Sequence, residues 1–279
     1  MFPVLSRLFE EGRRRKLNPF WTKITGALLF LFAAVEIYGA PFGFVDSFIL
    51  RGVFVAFALS LTFLCYTPFF SSAPRGAEEK VPLPDIILAC ASLLLGVWFA
   101  LNGKDIVDRW TGVDPLLPMD RAVTAALVLL VLEVTRRTVG PVLLGIILVF
   151  VAYSFAGPYL PGYFGHRGAS LEVFLDRMAY TYDGILGTPV GVACTYVFMF
   201  VLFGQVFNAA GGGNFFFRLA ASIAGRMRGG PAKISVIASA LYGTLSGSPV
   251  SDVVTTGSIT IPLMKRLGYG ADFSGAVSA

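Results

Sequence analysis

Gly243-Thr244-Leu245-Ser246-Gly247-Ser248-Pro249 interrupts a 33-residue stretch, Ala232 to Met264, whose only charges are Lys233 and Asp252. The stretch is too long for one ordinary membrane helix, which needs roughly 20 residues. Gly and Ser in the middle end one helix, and Pro starts another. Ser248 is a good N-cap, with Pro249 at the first helical position. Asp252 then falls in or near the first turn, where negative charge is favoured. The two arms, Ala232 to Ser246 and Pro249 to Met264, have 15 and 16 residues. At 1.5 Å per residue they reach about 22 and 24 Å, short of the ~30 Å of a hydrocarbon core. Both outer ends are basic, with Lys233 on one and Lys265 and Arg266 on the other. If both ends lie inside, the segment enters, turns within the bilayer and returns as a re-entrant hairpin, spanning 232–266, with its tip at Ser246-Gly247-Ser248.

The rest of the chain supports a membrane setting. Of 279 residues, 56% are hydrophobic and only 14% are charged, where a soluble domain carries about 25% charged residues. This argues against an ordinary soluble enzyme, a disordered chain and a nucleic-acid-binding domain. Cys65, Cys90 and Cys194 each sit in an apolar run without a CxxC pattern, and His166 is the sole histidine. Neither a disulfide framework nor a zinc site is supported. Apolar spans are expected at Trp21 to Tyr38, Phe48 to Phe70, Pro84 to Leu101, Arg121 to Val134, Val139 to Phe155 and Pro189 to Asn208. The expected fold class is an all-α polytopic membrane protein with about six transmembrane helices plus the re-entrant helical hairpin.

Charge sets the orientation. With the N-terminus in the cytoplasm, 16 of the 22 Lys and Arg residues fall inside. Outside remain Arg51, Lys104, Arg109, Arg121, Arg167 and Arg177, in loops rich in acid. Residues 1–20 read as a basic interfacial segment. Residues 21–137 read as a four-helix region and 138–279 as a transport-like region, where glycine and small residues become frequent. Leu171 to Tyr182 and Phe215 to Met227 read as in-plane helices that either collar a moving domain or cover an interface. Glu36 lies near an outer helix end, and Glu133 precedes Arg136 and Arg137 at local pairing distance. A carboxylate inside a span is otherwise a functional candidate.

Irregular backbone at membrane depth must be buried in protein or line a wet cavity. At the tip, the first arm's last carbonyls and the Ser hydroxyls offer oxygens to a cation, and the second arm's N-terminus offers N–H groups to a carboxylate. Thr255 and Thr256 add hydroxyls one turn on, although Thr in membrane helices often bonds its own backbone. Asp252 is open to three roles: ligand, proton carrier or dipole partner. The candidate substrate or ion site is therefore Ser246, Gly247, Ser248, Asp252, Thr255 and Thr256. A mere flexible turn is the competing reading.

Gly225-Arg226-Met227-Arg228-Gly229-Gly230-Pro231-Ala232-Lys233, Ala238 to Ser248, and Val253 to Arg266 together carry a resemblance. So does Asp183-Gly184-Ile185-Leu186-Gly187 leading to Pro189-Val190-Gly191-Val192. Residues 180 to 275 resemble the large membrane subunit of tripartite ATP-independent periplasmic (TRAP) transporters, and most of all the TAXI-type permeases with fused small and large subunits. Residues 1–137 match the small subunit only in layout. The resemblance implies secondary active uptake of an organic solute, expected to be a carboxylate, across the bacterial inner membrane. It implies a soluble periplasmic solute-binding protein as partner, a sodium or proton gradient as driving force, no other cofactor, no enzymatic activity and an elevator-type mechanism. Ser246, Gly247 and Ser248 match the first hairpin tip, where sodium would bind, and Asp252, Thr255 and Thr256 the helix behind it. The family's large subunit continues beyond a position such as Ala279, so the chain is expected to be part of a permease and not to transport alone. The competing reading is a structural or scaffold membrane subunit without its own transport site.

Overall fold

The computed structural model describes residues 14–42, 46–67, 80–110, 113–246 and 249–278. Eleven helices are found among them: α1 (Pro19–Phe42), α2 (Ser47–Cys65), α3 (Leu83–Asp108), α4 (Pro118–Thr138), α5 (Pro141–Ala156), α6 (Leu171–Ala179), α7 (Thr188–Ala209), α8 (Gly212–Ala224), α9 (Gly230–Ser246), α10 (Pro249–Arg266) and α11 (Ala271–Ser278). Within α7, Ala193–Val197 widens into a π-helical stretch. No strand occurs among the described residues, only an isolated bridge between Arg14 and Tyr66. The protein is an all-α polytopic membrane protein.

Among the described residues, five helical segments are long and apolar enough to cross a bilayer: Pro19–Gly39, Ser47–Cys65, Leu83–Asp108, Pro141–Tyr159 and Thr188–Ala209. The fourth expected span, Arg121 to Val134, is helical as part of α4. It stands outside these five because Asp120 and Arg121 open that helix and Glu133, Arg136 and Arg137 close it. Large apolar side chains on α1 such as Leu29, Phe30 and Leu31 are exposed, which fits a lipid-facing surface.

The chain divides into two compact units, Met1–Thr195 and Tyr196–Ala279. The division falls inside α7. Residues 138–195 join the first unit because α6 packs on α4 and the start of α7 packs on α2.

The core of the first unit is built around α2 and α3. Glycine lets these helices approach closely, as small residues do in membrane pairs. A Cβ on Gly52 would lie 2.6 Å from the Phe99 ring, one on Gly96 2.8 Å from Ala56, and one on Gly103 2.3 Å from Ile49. The hydrogen bond from Trp98 Nε1 to Tyr180 Oη (3.1 Å) and from Tyr180 Oη to Asp120 Oδ1 (3.0 Å) ties α3, the end of α6 and α4 together. Burial, above all, keeps the Tyr180 phenol protonated beyond its ordinary range; Asp120 acts in the same direction.

A buried charge cluster closes the opposite end of α3 and α4. Arg15 is 6% exposed. Its guanidinium pairs with Asp85 and donates to the carbonyls of Phe63 (3.1 Å) and Leu64 (3.3 Å). Arg137 Nη1 lies 2.9 Å from Asp85 Oδ1, and its Nε donates to Glu133 Oε1 at 2.7 Å. Arg136 forms a two-pronged pair with the same Glu133, both bonds 2.8 Å. The local Glu133 pairing expected from spacing is present. Arg15, within the segment 1–20, is buried because Asp85 and two helix-end carbonyls replace its hydration. Residues 1–13 lie outside the described residues.

Candidate functional site: a helical hairpin

Gly229, at φ +71°, turns the chain from α8 into α9 in a conformation that favours glycine. Ala220 and Ala224 of α8 meet Ile234 and Ala238 of α9 in a small packed cluster. Small side chains on both helices allow this close approach. Tyr242, higher on α9, is buried and stands edge-on to Phe216 of α8 at 6.5 Å.

α9 and α10 form an antiparallel pair. Ser235 Oγ donates to Thr260 Oγ1 at 3.1 Å, and Ser239 Oγ lies 2.9 Å from Thr256 Oγ1. Moving one turn up α9 moves the partner one turn back along α10, so α10 runs in the opposite direction to α9. The arms have 17 and 18 residues, or about 26 and 27 Å. Their outer ends carry Lys233, Lys265 and Arg266, all exposed. Each arm is a little longer than the sequence suggests, because helix continues through Gly230 at one end and Arg266 at the other. α11 begins at Ala271.

The seam between the arms is polar but satisfied. Ser278 of α11 reaches Ser235 (3.2 Å) and Thr260 (3.0 Å), completing a triangle of buried hydroxyls. Thr260 Oγ1 is also 3.0 Å from the Thr256 carbonyl. A consistent chain of donation runs from Ser278 to Ser235, to Thr260, to that carbonyl. In a protein interior each of these oxygens would be costly without a partner. Pro262 sits inside α10 and withholds one helical N–H, just beyond Thr260. Replacing Thr260 with Val keeps the shape and removes the hub. The expected loss is about 1 kcal/mol, the scale of interhelical hydrogen bonds in membranes. Thermal melting of the purified protein against a Ser222→Ala control on exposed α8 surface checks this.

Of the six candidate site residues, Thr255 and Thr256 are described in full. Thr256 is buried and engaged with Ser239. Thr255 is half-buried, and a Cβ on Gly213 of α8 would stand 3.0 Å from its methyl group. The two therefore face different neighbours, one across the hairpin and one toward the start of α8. Ser246 is the last residue of α9, and Asp252 falls in the first turn of α10 by position. Gly247 and Ser248 lie outside the described residues. The hydroxyls of Ser235, Ser239 and Thr260 are not among the residues the sequence singles out. Their signal is the four-residue spacing of Ser235 with Ser239 and of Thr256 with Thr260, which puts each pair on one helix face.

Among the described residues, two of the clefts lie in the first unit, and neither is lined by hairpin residues. One, of about 620 Å³, is lined by Tyr153, His166, Phe174 and Arg177, and another, of about 480 Å³, by Phe48, Arg109, Arg177 and Tyr182. His166 is committed to its own loop: Nδ1 accepts from the Gly168 N–H at 3.0 Å, leaving Nε2 to donate to the Tyr153 carbonyl at 3.1 Å. Arg177 borders both clefts and is exposed.

Residues 126–279 match the family model described as "Tripartite ATP-independent periplasmic transporter, DctM component". The uncharacterized protein YgiK of Salmonella typhimurium is 31% identical over 112 residues, covering 39% of this chain and 24% of that protein. The sialic acid TRAP transporter large permease protein SiaM of Vibrio cholerae is 34% identical over 80 residues, covering 29% of this chain and 19% of SiaM. A putative TRAP transporter large permease protein of Haemophilus influenzae is 32% identical over 110 residues, covering 39% and 27%. The chain spans about a quarter of the length of these relatives. No solved structure matches.

Proposed function

The chain belongs to the DctM-component family of tripartite ATP-independent periplasmic transporters, and on that premise we propose that it supplies a substrate- and ion-binding hairpin to a secondary active permease of the bacterial inner membrane. The observation that carries this reading is the hairpin itself. Its arms are antiparallel, its basic ends emerge together, and its breaker tip is flanked by a helix C-terminus and a helix N-terminus. Such paired helix ends suit a cation and a carboxylate at once. The solute is an organic carboxylate, a class to which the sialic acid of the Vibrio cholerae relative belongs. A periplasmic binding protein delivers it, and the N-terminus of the chain faces the cytoplasm.

Ser246, Gly247 and Ser248 would provide oxygens for sodium, with Asp252, Thr255 and Thr256 behind them. A proton carried by Asp252 is the alternative coupling mode. The family match begins at residue 126, and three of the five apolar spans precede it. This supports reading residues 21–137 as a fused small-subunit-like region of the TAXI kind. A second reading, a scaffold hairpin without its own site, is favoured by one observation: the Thr256 hydroxyl is already engaged by Ser239.

The test is uptake by the complete permease with its binding protein in proteoliposomes, with sodium and pH gradients imposed separately. Ser246→Leu and Ser248→Leu are expected to lower uptake more than about tenfold, a loss of at least about 1.4 kcal/mol, and to weaken its ion dependence. Unchanged uptake with unchanged ion dependence in both variants would leave the scaffold reading.

A further inference from the structure

We propose that the larger cleft of the first unit is a phospholipid site, in which Arg177 holds the phosphate of the headgroup and the exposed face of α5 receives an acyl chain. The cleft, of about 620 Å³, is bordered by the end of α5, the loop that follows and α6. That loop folds back on its own helix. The Ala169 N–H donates to the Ser154 carbonyl at 3.0 Å and the His166 N–H to the Gly157 carbonyl at 3.2 Å. Glycine at 157 permits this, since a Cβ there would stand 2.3 Å from the His166 ring. Ser170 then caps α6, accepting from the Val173 N–H at 3.3 Å. Phe155 packs on Phe174 at 5.1 Å and joins α5 to α6. The cleft is therefore preformed.

Its polar side chains have partners, with one exception. Tyr153 Oη donates to the Phe164 carbonyl and Ser154 Oγ to the Phe150 carbonyl, both at 3.0 Å. Both ring nitrogens of His166 are used. Arg177 is the one charged residue among those that line the cleft. The two acids of α6 are taken elsewhere, Asp176 by Arg109 at 3.3 Å and Glu172 by Arg121 at 3.1 Å. Among the described residues, Arg177 has no ion-pair partner. Asp183 borders only the smaller cleft with it. A guanidinium left without an anion at a largely apolar cleft suits a phosphate.

The surroundings favour a lipid over a soluble anion. Tyr159, Tyr163 and Phe164, in the loop after α5, are exposed, as aromatic residues are at a membrane surface. The cleft then lies at headgroup level. From Tyr153 one face of α5 runs back through Val149 and Phe150 to Ile146 and Val142, in helical steps of three or four residues. All of these are exposed, and no residue of α5 is buried. Tyr153 and Val142 are 11 residues apart, or about 16 Å of helix. One leaflet's hydrocarbon is ~15 Å deep, half of a bilayer core. A cation at the end of an apolar stripe one leaflet long matches a phospholipid, whereas a soluble carboxylate would use the cation and leave the stripe uncovered. Basic residues at the membrane surface attract anionic lipids, so phosphatidylglycerol is the favoured occupant. In the proposed orientation it belongs to the outer leaflet.

Native mass spectrometry of the full chain, with lipid titrated into detergent, tests this. It reads no transport, so its outcome is separate from that of the uptake experiment. Phosphatidylglycerol is expected to be retained. Arg177→Gln should weaken retention about fivefold, the scale of one basic residue at a membrane surface, and Arg177→Lys should keep most of it. Lys104→Gln, exposed at the outer end of α3, should change nothing. Glycerophosphate, with the phosphate and no chains, should not compete. Diacylglycerol, with the chains and no phosphate, should not be retained. Competition by glycerophosphate would assign the cleft to soluble anions and overturn the proposal. Equal retention of diacylglycerol, or equal losses in Arg177→Gln and Lys104→Gln, would overturn it as well. A lipid-free dimer would give this face to a second copy of the chain and would also overturn it.

Discussion

Replacing Asp85 with alanine is expected to destabilise the first unit by about 3–5 kcal/mol, the cost of breaking a buried ion pair from one side. Asp85 stands between two buried cations, Arg15 and Arg137. Without it Arg15 keeps the carbonyls of Phe63 and Leu64, which are neutral acceptors and carry no countercharge. Arg137 keeps Glu133, but shares that carboxylate with Arg136. The cluster would then hold three cations against the single carboxylate of Glu133, in a place water reaches poorly. Asp85→Asn should cost less, since it keeps an acceptor while losing the charge. The double replacement Arg15→Met with Asp85→Ala should recover part of the loss, because the cation goes with its anion. Thermal melting of the single and double variants in detergent gives the coupling directly. A native-like melting temperature for Asp85→Ala would show that the cluster is hydrated and weak.

The second large effect is expected at Gly184, where alanine should cost about 3 kcal/mol or more, on the scale of the most damaging single replacements. A Cβ there would stand 2.3 Å from the carbonyl oxygens of both Arg177 and Met178. Neither oxygen can step aside cheaply. The Met178 carbonyl accepts the Ile185 N–H at 2.8 Å, and the Arg177 carbonyl accepts the Thr181 hydroxyl at 2.7 Å. The clash is with backbone, so no rotamer change relieves it. Gly187 has the same character, with the carbonyls of Tyr182 and Gly184 at 2.7 and 2.9 Å from its would-be Cβ. This is a physical reason for glycine at both ends of Gly184-Ile185-Leu186-Gly187. Gly145→Ala on α5 is the control: nothing lies within 4 Å of the added carbon, and alanine in a helix interior is worth about 0.5–1 kcal/mol over glycine. Equal melting temperatures for the two variants would contradict the argument.

The hairpin is legible in the amino-acid sequence because its signals are local. A breaker cluster, an N-cap followed by Pro, and basic residues at both outer ends occupy one continuous stretch. Glu133 with Arg136 and Arg137 is legible for the same reason, since helix geometry alone brings residues three and four apart together. The hydroxyl seam is half legible: spacing puts Ser235 with Ser239, and Thr256 with Thr260, on common faces. Which face meets which, and that Ser278 joins them from α11, depends on packing among three helices. α4 shows the converse. Its length suits a span, but the charges at its two ends are tied to Glu172, Tyr180 and Asp85 elsewhere in the chain.

The amino-acid sequence by itself determines that this is a helical membrane protein, where its apolar segments run and where one of them is broken in the middle. Those properties follow from comparing the length of each apolar run with the thickness of a bilayer, and from residues that act on their immediate neighbours. Only the tertiary structure decides which charges are stranded and which are matched. Arg15 reads as one more cation in a basic run and is instead paired 70 residues away with Asp85. Glu36 reads as a carboxylate at a helix end and is instead sealed from solvent, with no hydrogen-bond partner among the described residues. The energy of a charge is set by what surrounds it in space, and helices brought together by packing make surroundings that no stretch of sequence contains.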